Sequence, residues 1–505
     1  MGQFFNLGDL VGRDRDPAAL ALVDLLEPER PRRFSHGEVD AEARAVARGL
    51  LRRGLKRGQR VAILSANRAE FLTAYFGTMR AGLVSVPVSY RFPSETIRYI
   101  LGDADVAMVF ADTARLADCP DDIPVVCFDG AGEDGFGALL DPGDFESVRP
   151  DEDEIAMFLY TSGSTGVPKG VPLSHAGQLW VIAARAQVDP DYSRHRFLVA
   201  APLYHMNALI FTKLVMASHA SMVLLPEFRA PAYIEAIERH RCTWLTSVPT
   251  MLALVARETE LLGRTDLSSV EVVGMGSAPL TQHLVDALKA VLPGRIQSNS
   301  YGTTEAGAGV FGPHPDGLPR PDLSLGYPLA GIGIRLVDDA GREAAEGVLQ
   351  LDTPAMMPGY HNLPDKTAER ITADGWYDTG DVMRRDDDGW YYFVGRADDM
   401  FNCGGENLYP GEVEKMLERH DDIDQACVVP VADEIKGAKP VAFIVARAGA
   451  ELREETVKAF ALAHAPAFQH PRRVFFLDAL PLAATNKIDR TALTERAAAE
   501  TGGQV

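Results

Sequence analysis

The chain has 505 residues, a formal net charge of −21, and 46% hydrophobic and 24% charged residues. This length exceeds one ordinary hydrophobic core, so we expect two or more domains in a globular protein. The negative charge argues against binding to nucleic acid or to an anionic membrane, because both surfaces are themselves negative.

Short apolar runs alternate with amphipathic stretches from about residue 60 to 300. The apolar runs predict buried strands, and the stretches at 68–82, 231–240 and 281–291 predict helices. The predicted strands are RVAILSA (60–66), LVSVPV (83–88), VAMVF (106–110), IPVVCF (123–128), FLVAA (197–201), SMVLL (221–225), CTWLTSV (242–248), VEVVGM (270–275) and IQSNSY (296–301). This alternation predicts an α/β architecture with parallel-rich sheets flanked by helices.

The pattern of residue types changes twice towards the C-terminus. Glycine, proline and aspartate punctuate short runs between about 325 and 395, which predicts a small β-barrel-like subdomain. After the charged join at 395–407, helical patterns at 410–420 and 453–464 flank strand-like runs at 424–431 and 440–445. We therefore predict an N-terminal domain at 1–396, a hinge at 397–399 and a smaller, mobile α+β domain at 400–505.

The spacing of the cysteines and the length of the apolar runs predict the cellular compartment of the protein. Cys119, Cys127, Cys242, Cys403 and Cys427 form no CxxC pair, which predicts neither a disulfide framework nor a zinc site. No signal-peptide pattern opens the chain, and no apolar run approaches the roughly 20 residues of a spanning helix. We expect a cytoplasmic protein that does not bind membranes. A homodimer is an option that the sequence leaves open.

The stretch YTSGSTGVPKG (160–170) directly follows an apolar run. Its backbone N–H groups, hydroxyls and lysine can hold an anion, although a mobile polar turn is the alternative when the stretch is taken alone. It is no Walker A loop, because Pro168 precedes Lys169 and Gly170 follows it. The stretch also lacks the GxGxxG spacing of a dinucleotide fingerprint.

Eight motifs follow one another along some 330 residues. They are YTSGSTGVPKG (160–170), PLYHMN (202–207), GSAPL (276–280), NSYGTTEAG (299–307), WYDTGD (376–381), GRADDM (395–400), GGENLYPGEVE (404–414) and LPLAATNKIDR (480–490). In order and separation they resemble the adenylate-forming superfamily, and most closely its stand-alone acyl-CoA synthetases. The resemblance implies that ATP and a carboxylic acid form an acyl-adenylate with Mg²⁺, and that coenzyme A then displaces AMP.

The resemblance also implies a nucleotide site. The 160–170 loop is expected to close over the β- and γ-phosphates of ATP, and Tyr301 to stack beside adenine. Asp381 is expected to accept hydrogen bonds from both ribose hydroxyls, and Glu305 to hold Mg²⁺. The GSAPL residues form the other side of the adenine slot, and Arg396 assists at ribose and phosphate. The implied nucleotide-binding residues are Thr161, Ser162, Gly163, Ser164, Thr165, Gly166, Lys169, Ser277, Ala278, Pro279, Asn299, Ser300, Tyr301, Gly302, Thr303, Thr304, Asp381 and Arg396.

Further roles come from the same resemblance. Lys487 is the expected adenylation lysine, although Asn486 replaces the glycine that usually precedes it; asparagine tolerates left-handed backbone better than most residues. His205 is expected to act as a gate or pocket residue, with a packed structural histidine as the alternative. Asp398 is the expected hinge residue. Gly404 and Gly405 are expected to border the channel for the thiol of coenzyme A.

The acyl pocket is expected to be roomy and apolar. Its predicted residues are Tyr204, His205, Met206, Asn207, Gly274, Met275, Gly276, Gly307 and Ala308. No carboxylate stands there to pair with an ammonium, which disfavours an amino acid. The pocket segments contain no lysine or arginine, which argues against a dicarboxylate. We expect an aryl or hydroxycinnamate-type acid or a medium-chain fatty acid. Loading of a separate carrier protein, or a non-catalytic nucleotide-binding relative, are the alternatives.

Overall fold

A computed structural model describes residues 4–11, 14–161, 167–189, 191–278, 280–403, 406–433, 436–447, 449–483 and 487–502, with main chain alone at 297–299. Its first elements are β1 (Leu20–Asp24), β2 (Arg32–Ser35), α1 (His36–Arg52), β3 (Arg60–Leu64), α2 (Ala69–Arg80), β4 (Val84–Pro87), α3 (Ser94–Asp103), β5 (Val106–Ala111), β6 (Val125–Cys127), α4 (Phe136–Leu139), β7 (Ile155–Thr161) and β8 (Lys169–Ser174).

The first sheet has the strand order β6-β5-β3-β4-β7-β8. Its strands run parallel except for β8, which pairs antiparallel with β7 and sets Thr161 opposite Lys169. The loop between these two strands carries the Gly/Ser/Thr motif, whose Ser162, Gly163, Ser164, Thr165 and Gly166 lie outside the described residues. The antiparallel edge was not predicted from the sequence.

The chain continues into a second sheet. Its elements are α5 (His175–Arg185), β9 (Arg196–Val199), α6 (Met206–Ser218), β10 (Ser221–Leu224), α7 (Ala230–His240), β11 (Trp244–Ser247), α8 (Pro249–Arg257), α9 (Thr259–Arg264), β12 (Val272–Gly276), α10 (Gln282–Val291) and β13 (Arg295–Ser300). The strand order is β13-β12-β11-β9-β10-β1-β2, and β2 alone among these strands is antiparallel to its neighbour. Both sheets confirm the predicted α/β class.

The β-rich segment follows. It contains β14 (Gly302–Thr303), β15 (Gly307–Ala308), β16 (Phe311–Gly312), β17 (Tyr327–Pro328), β18 (Gly333–Val337), β19 (Glu346–Asp352), α11 (Pro364–Ala368), β20 (Tyr377–Arg385) and β21 (Tyr391–Arg396). The order β18-β19-β20-β21 forms an antiparallel sheet. Short strands broken by glycine and proline suit this antiparallel layout, because tight turns join neighbouring strands.

The C-terminal elements form a further sheet. They are β22 (Phe401–Cys403), β23 (Glu406–Leu408), α12 (Pro410–Leu417), β24 (Ile423–Asp433), β25 (Gly437–Ala446), α13 (Glu454–His464), β26 (Arg473–Phe476) and α14 (Arg490–Glu500). Strand β26 joins the order β23-β22-β25-β24 by pairing in parallel with β25. Apolar clusters on its two faces give this part its own core. The domain limits at 396 and 400 stay predictions.

Two findings bear on the compartment. All five cysteines are buried and free. In the portion of the chain with described structure, no helix is long and apolar enough to cross a membrane.

Close helix packing in the N-terminal core depends on Gly77. A Cβ at this position would lie 2.6 Å from the carbonyl oxygen of Ala43 and 2.7 Å from Val46, where α2 crosses α1. Gly77→Ala should therefore lower the free energy of unfolding by about 1–3 kcal/mol. Gly102→Ala is the matched control, because nothing lies within 4 Å of its added carbon in α3. It should raise stability by about 0.5–1 kcal/mol. Urea unfolding followed by tryptophan fluorescence measures both; equal effects would contradict this packing.

Candidate active site

A tight hairpin between β14 and β15 positions Glu305. Gly302 pairs with Ala308, and an added Cβ on Gly302 would lie 2.6 Å from the Cα of Ala308. This approach requires glycine. The Thr303 hydroxyl accepts a hydrogen bond from the Ala306 amide at 2.9 Å, which fixes the turn. Glu305 stands in that turn, half-buried.

Tyr360 holds Glu305 and Lys169 side by side. Its hydroxyl donates to Oε1 of Glu305 at 2.9 Å, and the Lys169 Nζ lies 4.5 Å from the centroid of its ring. Burial lowers the pKa of Lys169, and the charge of Glu305 acts in the opposite direction. The sequence analysis missed Tyr360, since the run PGYHN (358–362) indicates only a turn.

Asp381 lies in the middle of β20, opposite Arg396 at the end of β21. The Arg396 Nη1 donates to Oδ1 of Asp381 at 3.0 Å, and the Tyr301 hydroxyl donates to Oδ2. Burial raises the pKa of this carboxyl, against the opposing effects of Arg396 and Tyr301. Three of the predicted nucleotide-site residues therefore share one hydrogen-bonded cluster.

Asp398 extends this cluster to the predicted hinge. It accepts hydrogen bonds from Nη2 of Arg396 at 3.0 Å and from Nη2 of Arg370 at 2.8 Å. Burial alone would raise the pKa of Asp398, but these two guanidinium groups bring it below its ordinary value. Charges therefore alternate from Arg370 through Asp398 and Arg396 to Asp381. The sequence analysis missed Arg370, which lies in no motif.

The Lys487 loop lies between β26 and α14. The Ala483 amide donates to the Lys487 carbonyl at 2.7 Å, and Leu482 bridges to Ile488. The surrounding protein lowers the pKa of Lys487, Asp381 raises it and Arg396 lowers it further. Lys487 is exposed to solvent, and its charge interacts with those of Asp381 and Arg396. Asn486 lies outside the described residues.

Arg490 anchors this loop three residues after the lysine. Its two guanidinium nitrogens donate to the two carboxylate oxygens of Glu414 at 2.7 and 2.6 Å, and Nη1 also donates to the Val428 carbonyl at 3.1 Å. Burial would lower the pKa of Arg490, but Glu414 raises it above its ordinary value. A bidentate pair of this kind fixes orientation as well as position.

His205 caps the beginning of α6 beside the same cleft. Its ring lies 4.6 Å from that of Tyr204 in an edge-on contact. Burial lowers the pKa of His205 to about 3, and the charges of Lys487 and Arg91 act in the same direction. The imidazole is therefore neutral near pH 7, and its role as a gate or pocket residue stays a prediction.

The other predicted residues lie along the carboxyl ends of β12 and β13. Ser277, in left-handed backbone with φ of 68°, accepts a hydrogen bond from the Asn207 amide at 3.2 Å. Gly276 pairs with Ser300, and an added Cβ would lie 2.6 Å from its carbonyl oxygen. Gly274, Met275, Ala278, Thr304 and Met206 lie in the same region of the described chain. The side chain of Asn299, and all of Pro279, Gly404 and Gly405, lie outside the described residues.

Glu305 is the available protein ligand for Mg²⁺. Across the described ranges, no group of three His, Cys, Asp or Glu side chains converges on one point. Protein-bound Mg²⁺ commonly takes one or two carboxylates together with substrate phosphates. A single half-buried carboxylate beside Lys169 fits that arrangement.

Contacts across the cleft hold the C-terminal elements in place. The Lys415 Nζ donates to the Phe393 carbonyl at 2.8 Å, and Arg257 forms an ion pair with Asp424. These contacts join α12 and β24 to the N-terminal part of the chain while Lys487 faces the site.

Comparison with known proteins decides the family. Residues 12–361 match the AMP-binding enzyme family, and residues 412–487 match the AMP-binding enzyme C-terminal domain. The chain is an AMP-binding enzyme. It is 30% identical to 4-coumarate–CoA ligase 2 of Solanum tuberosum over 94% of this chain and 91% of the relative. It is 31% identical to a sulfoacetate–CoA ligase of Cupriavidus necator, covering 94% of each chain.

Solved structures of similar proteins agree with this assignment. An anthranilate CoA ligase in complex with anthranoyl-AMP superimposes on this AMP-binding enzyme with a TM-score of 0.90 and 26% identity, covering 99% of this chain and 98% of the other. ATP-bound MatB from Rhodopseudomonas palustris gives a TM-score of 0.87 at 26% identity, covering 97% and 98%. The predicted superfamily, fold and reaction class, an AMP-forming carboxylate–CoA ligase with ATP and coenzyme A as substrates, are confirmed.

The Arg490–Glu414 pair should set the stability of the C-terminal elements. Glu414→Gln keeps the shape but removes the charge that pairs with Arg490, whose side chain is 30% exposed, so it should lower the free energy of unfolding by about 1.5–3 kcal/mol. Arg496→Gln is the control: Arg496 pairs with Glu500 on the surface of the same helix, so its loss should cost at most about 0.5 kcal/mol. Denaturant unfolding measures both, and equal losses would contradict the anchoring role.

Proposed function

We propose that this chain joins a carboxylic acid to AMP in the cleft between Asp381 and Lys487, and then transfers the acyl group to coenzyme A. The observation that carries the proposal is the position of Lys487. A loop of the C-terminal sheet brings its charge to the Asp381–Arg396 pair and to His205. These four residues come from distant parts of the chain, and no structural role requires them to lie near one another.

In the first half-reaction, a carboxylate oxygen attacks the α-phosphorus of ATP. The bond from that phosphorus to the bridging oxygen of the β-phosphate breaks, and pyrophosphate leaves. Negative charge gathers on the phosphate oxygens, which the ammonium groups of Lys487 and Lys169 and the guanidinium of Arg396 stabilise. Glu305 would hold Mg²⁺, which would supply further positive charge to those oxygens.

Nucleotide binding exchanges hydrogen bonds at Asp381. In the present structure its two oxygens accept from Arg396 and from Tyr301. A carboxylate with two oxygens has about four lone-pair positions, so it can accept two ribose hydroxyls while keeping Arg396. Tyr301 is then released to lie against the adenine.

In the second half-reaction, the thiol sulfur of coenzyme A attacks the acyl carbon. The bond from that carbon to the phosphate oxygen breaks, AMP leaves, and the thiol proton passes to solvent. His205 is neutral and has no acid partner among the described residues, so we assign it the shaping of the path between the acyl pocket and the thiol.

Between the two steps the C-terminal elements turn about 397–399. Asp398, Arg396 and Arg370 keep 44%, 40% and 23% of their side-chain surface exposed. Exposed ion pairs of this type contribute about 1 kcal/mol or less, so thermal motion can break them. The Arg490–Glu414 pair lies within the moving part and is not broken by the turn.

The acid belongs to an aryl or hydroxycinnamate type in this proposal. One observation supports this choice: similar proteins include 4-coumarate and anthranilate CoA ligases. The glycines of the predicted pocket are packed, since an added Cβ would lie 2.6 Å from the Ser300 carbonyl oxygen at Gly276 and 2.9 Å from Ala355 at Gly307. A medium-chain fatty acid is the second candidate. The predicted cytoplasmic location and homodimeric assembly stay predictions.

Isotope exchange between ATP and pyrophosphate, measured with a panel of acids and with or without coenzyme A, tests the proposal. We expect acid-dependent exchange, and release of AMP only when coenzyme A is added. Exchange without AMP release would favour loading of a carrier protein. The absence of exchange with every acid would favour a non-catalytic nucleotide-binding protein.

Lys487→Ala should separate the half-reactions. Because Lys487 contacts the reacting groups only during adenylation, the rate of acyl-adenylate formation should fall about 100- to 1,000-fold. Conversion of a supplied acyl-adenylate to acyl-CoA should continue. Lys458→Ala is a matched control, since this lysine pairs with Glu454 on the surface of α13. Equal loss of both half-reactions in Lys487→Ala would contradict the assignment.

The pH dependence of adenylation should follow Lys487 and not His205. The lysine must be charged, and its pKa lies below the ordinary 10.5, so the rate should fall at alkaline pH earlier than for a free lysine. His205, with its pKa near 3, should add no step near 6.5. In Lys487→Arg the alkaline fall should vanish, because guanidinium does not titrate there. If the adenylation rate of Lys487→Arg still falls at the same alkaline pH, a group other than Lys487 is responsible for the titration.

A further inference from the structure

Two buried cations lie on the helices behind the predicted acyl-pocket segments. Arg185, the last residue of α5, is 4% exposed, and Lys213 in α6 is 0% exposed. Neither residue belongs to the segments that the sequence analysis assigned to the pocket, so that analysis counted no cation there.

One face of α5 runs along the pocket strand β15 and the residues after it. Gln178, Val181 and Arg185 share this face through their three- and four-residue spacing. An added Cβ on Gly307 would lie 3.0 Å from Val181, and one on Gly309 would lie 2.5 Å from Cδ of Arg185. The stem of Arg185 is therefore packed directly against the pocket segment.

Lys213 reaches the same region from α6. Its Nζ donates to Oε1 of Gln178 at 2.6 Å and lies 4.0 Å from the sulfur of Met206. Met206, Ile210 and Lys213 share one face of α6, and helical side chains point towards the helix N-terminus. The ammonium group is thus directed back towards the pocket end of the helix, which begins at His205.

Both cations lack an acidic partner. Among the residues that the structure describes, no Asp or Glu oxygen lies within 4.0 Å of a side-chain nitrogen of Arg185 or Lys213. Buried Arg80, by contrast, pairs with Asp40 at 2.7 Å. Arg185 instead lies 5.9 Å from the centroid of the Phe211 ring.

Burial disfavours the charged form of the basic groups near the pocket segments. Burial lowers the pKa of Lys213 to about 7, and burial together with Arg185 and Arg295 lowers that of Arg320 to about 10. Burying a cation without an anion is costly, and the cost is recovered when an anion of suitable geometry enters.

We propose that Arg185 and Lys213 bind a second anionic group, a carboxylate or a sulfonate, on the acid that this chain activates. The inference rests on the proposed function. The reacting carboxylate lies beside His205 and Lys487, and the second anion lies at the far end, between α5 and α6. An acid with an uncharged tail leaves both cations unpaired.

Matched acids test this inference in the wild-type enzyme. Pyrophosphate release gives kcat/KM for 4-methylbenzoate, 4-carboxybenzoate and 4-sulfobenzoate, and for hexanoate, hexanedioate and 6-sulfohexanoate. In at least one series we expect kcat/KM for a dianionic acid to exceed that for its uncharged-tail partner by about tenfold or more. The carboxylate and sulfonate arms distinguish the two sources of the anion. Preference for the uncharged tail in both series would overturn the inference.

Two variants test whether the preference for a dianionic acid depends on Arg185 and Lys213. Arg185→Met and Lys213→Met keep length and remove charge, so each should lower kcat/KM for the dianionic acid about tenfold and raise it for the uncharged-tail acid. Arg194→Met, whose exposed arginine pairs with Glu271, should leave the ratio unchanged. Thermal unfolding confirms that each variant is folded. If a variant fails to fold, the wild-type comparison still decides.

Two failures can be told apart. The first failure is that neither Arg185→Met nor Lys213→Met changes the ratio of kcat/KM for the dianionic acid to kcat/KM for the uncharged-tail acid. That result would overturn the assignment of the second anion to these residues, while the ligase function would stand. Absence of pyrophosphate release with every acid would overturn the proposed function and this inference with it.

Discussion

The proposed active site depends on the electrostatic interaction between the Lys487 ammonium and the Asp381–Arg396 pair. Lys487 lies on a loop of the C-terminal sheet, whereas Asp381 and Arg396 face each other across β20 and β21. Negative charge develops between them when an acid meets ATP, and a cation held by protein walls acts there more strongly than in water. The hairpin of Glu305 and the strand pair of Lys169 complete the ring of charges around the same point.

Two classes of ion pair divide the molecule into fixed and movable parts. Arg490 and Glu414 form a bidentate, largely buried pair that ties the Lys487 loop to its own sheet. Asp398 makes its pairs with Arg370 and Arg396 in partly exposed positions, where each contributes little. In the proposed mechanism the loop keeps its shape while the chain turns beside Asp398. Such a division suits two reactions that need different groups at one cleft.

Local sequence patterns predicted most of the framework, because strands and helices are encoded by neighbours in the chain. The nucleotide-binding roles of the motif residues stay predictions. The run 60–66 became β3, and the helical pattern at 410–420 became α12. The antiparallel edge of β8 was missed, since its residues lack a strand signal of their own. Tyr360 and Arg370 were missed because their roles depend on contacts with Glu305 and Asp398, which only the fold brings near. Arg185 and Lys213 escaped notice for the same reason: burial without an acid is a property of three-dimensional packing.

The proposed site has positively charged residues at both of its ends. In the proposed site, Lys487 acts on the reacting carboxylate at one end, and Arg185 and Lys213 bind a second anionic group at the other. A crystal structure of the enzyme with ATP and an activated acid is the most direct test of the central encounter. The account predicts the Lys487 Nζ within about 3 Å of an α-phosphate or carboxylate oxygen, with Asp381 accepting the ribose hydroxyls. Nucleotide bound away from Asp381, with Lys487 turned to solvent in every state captured, would contradict it.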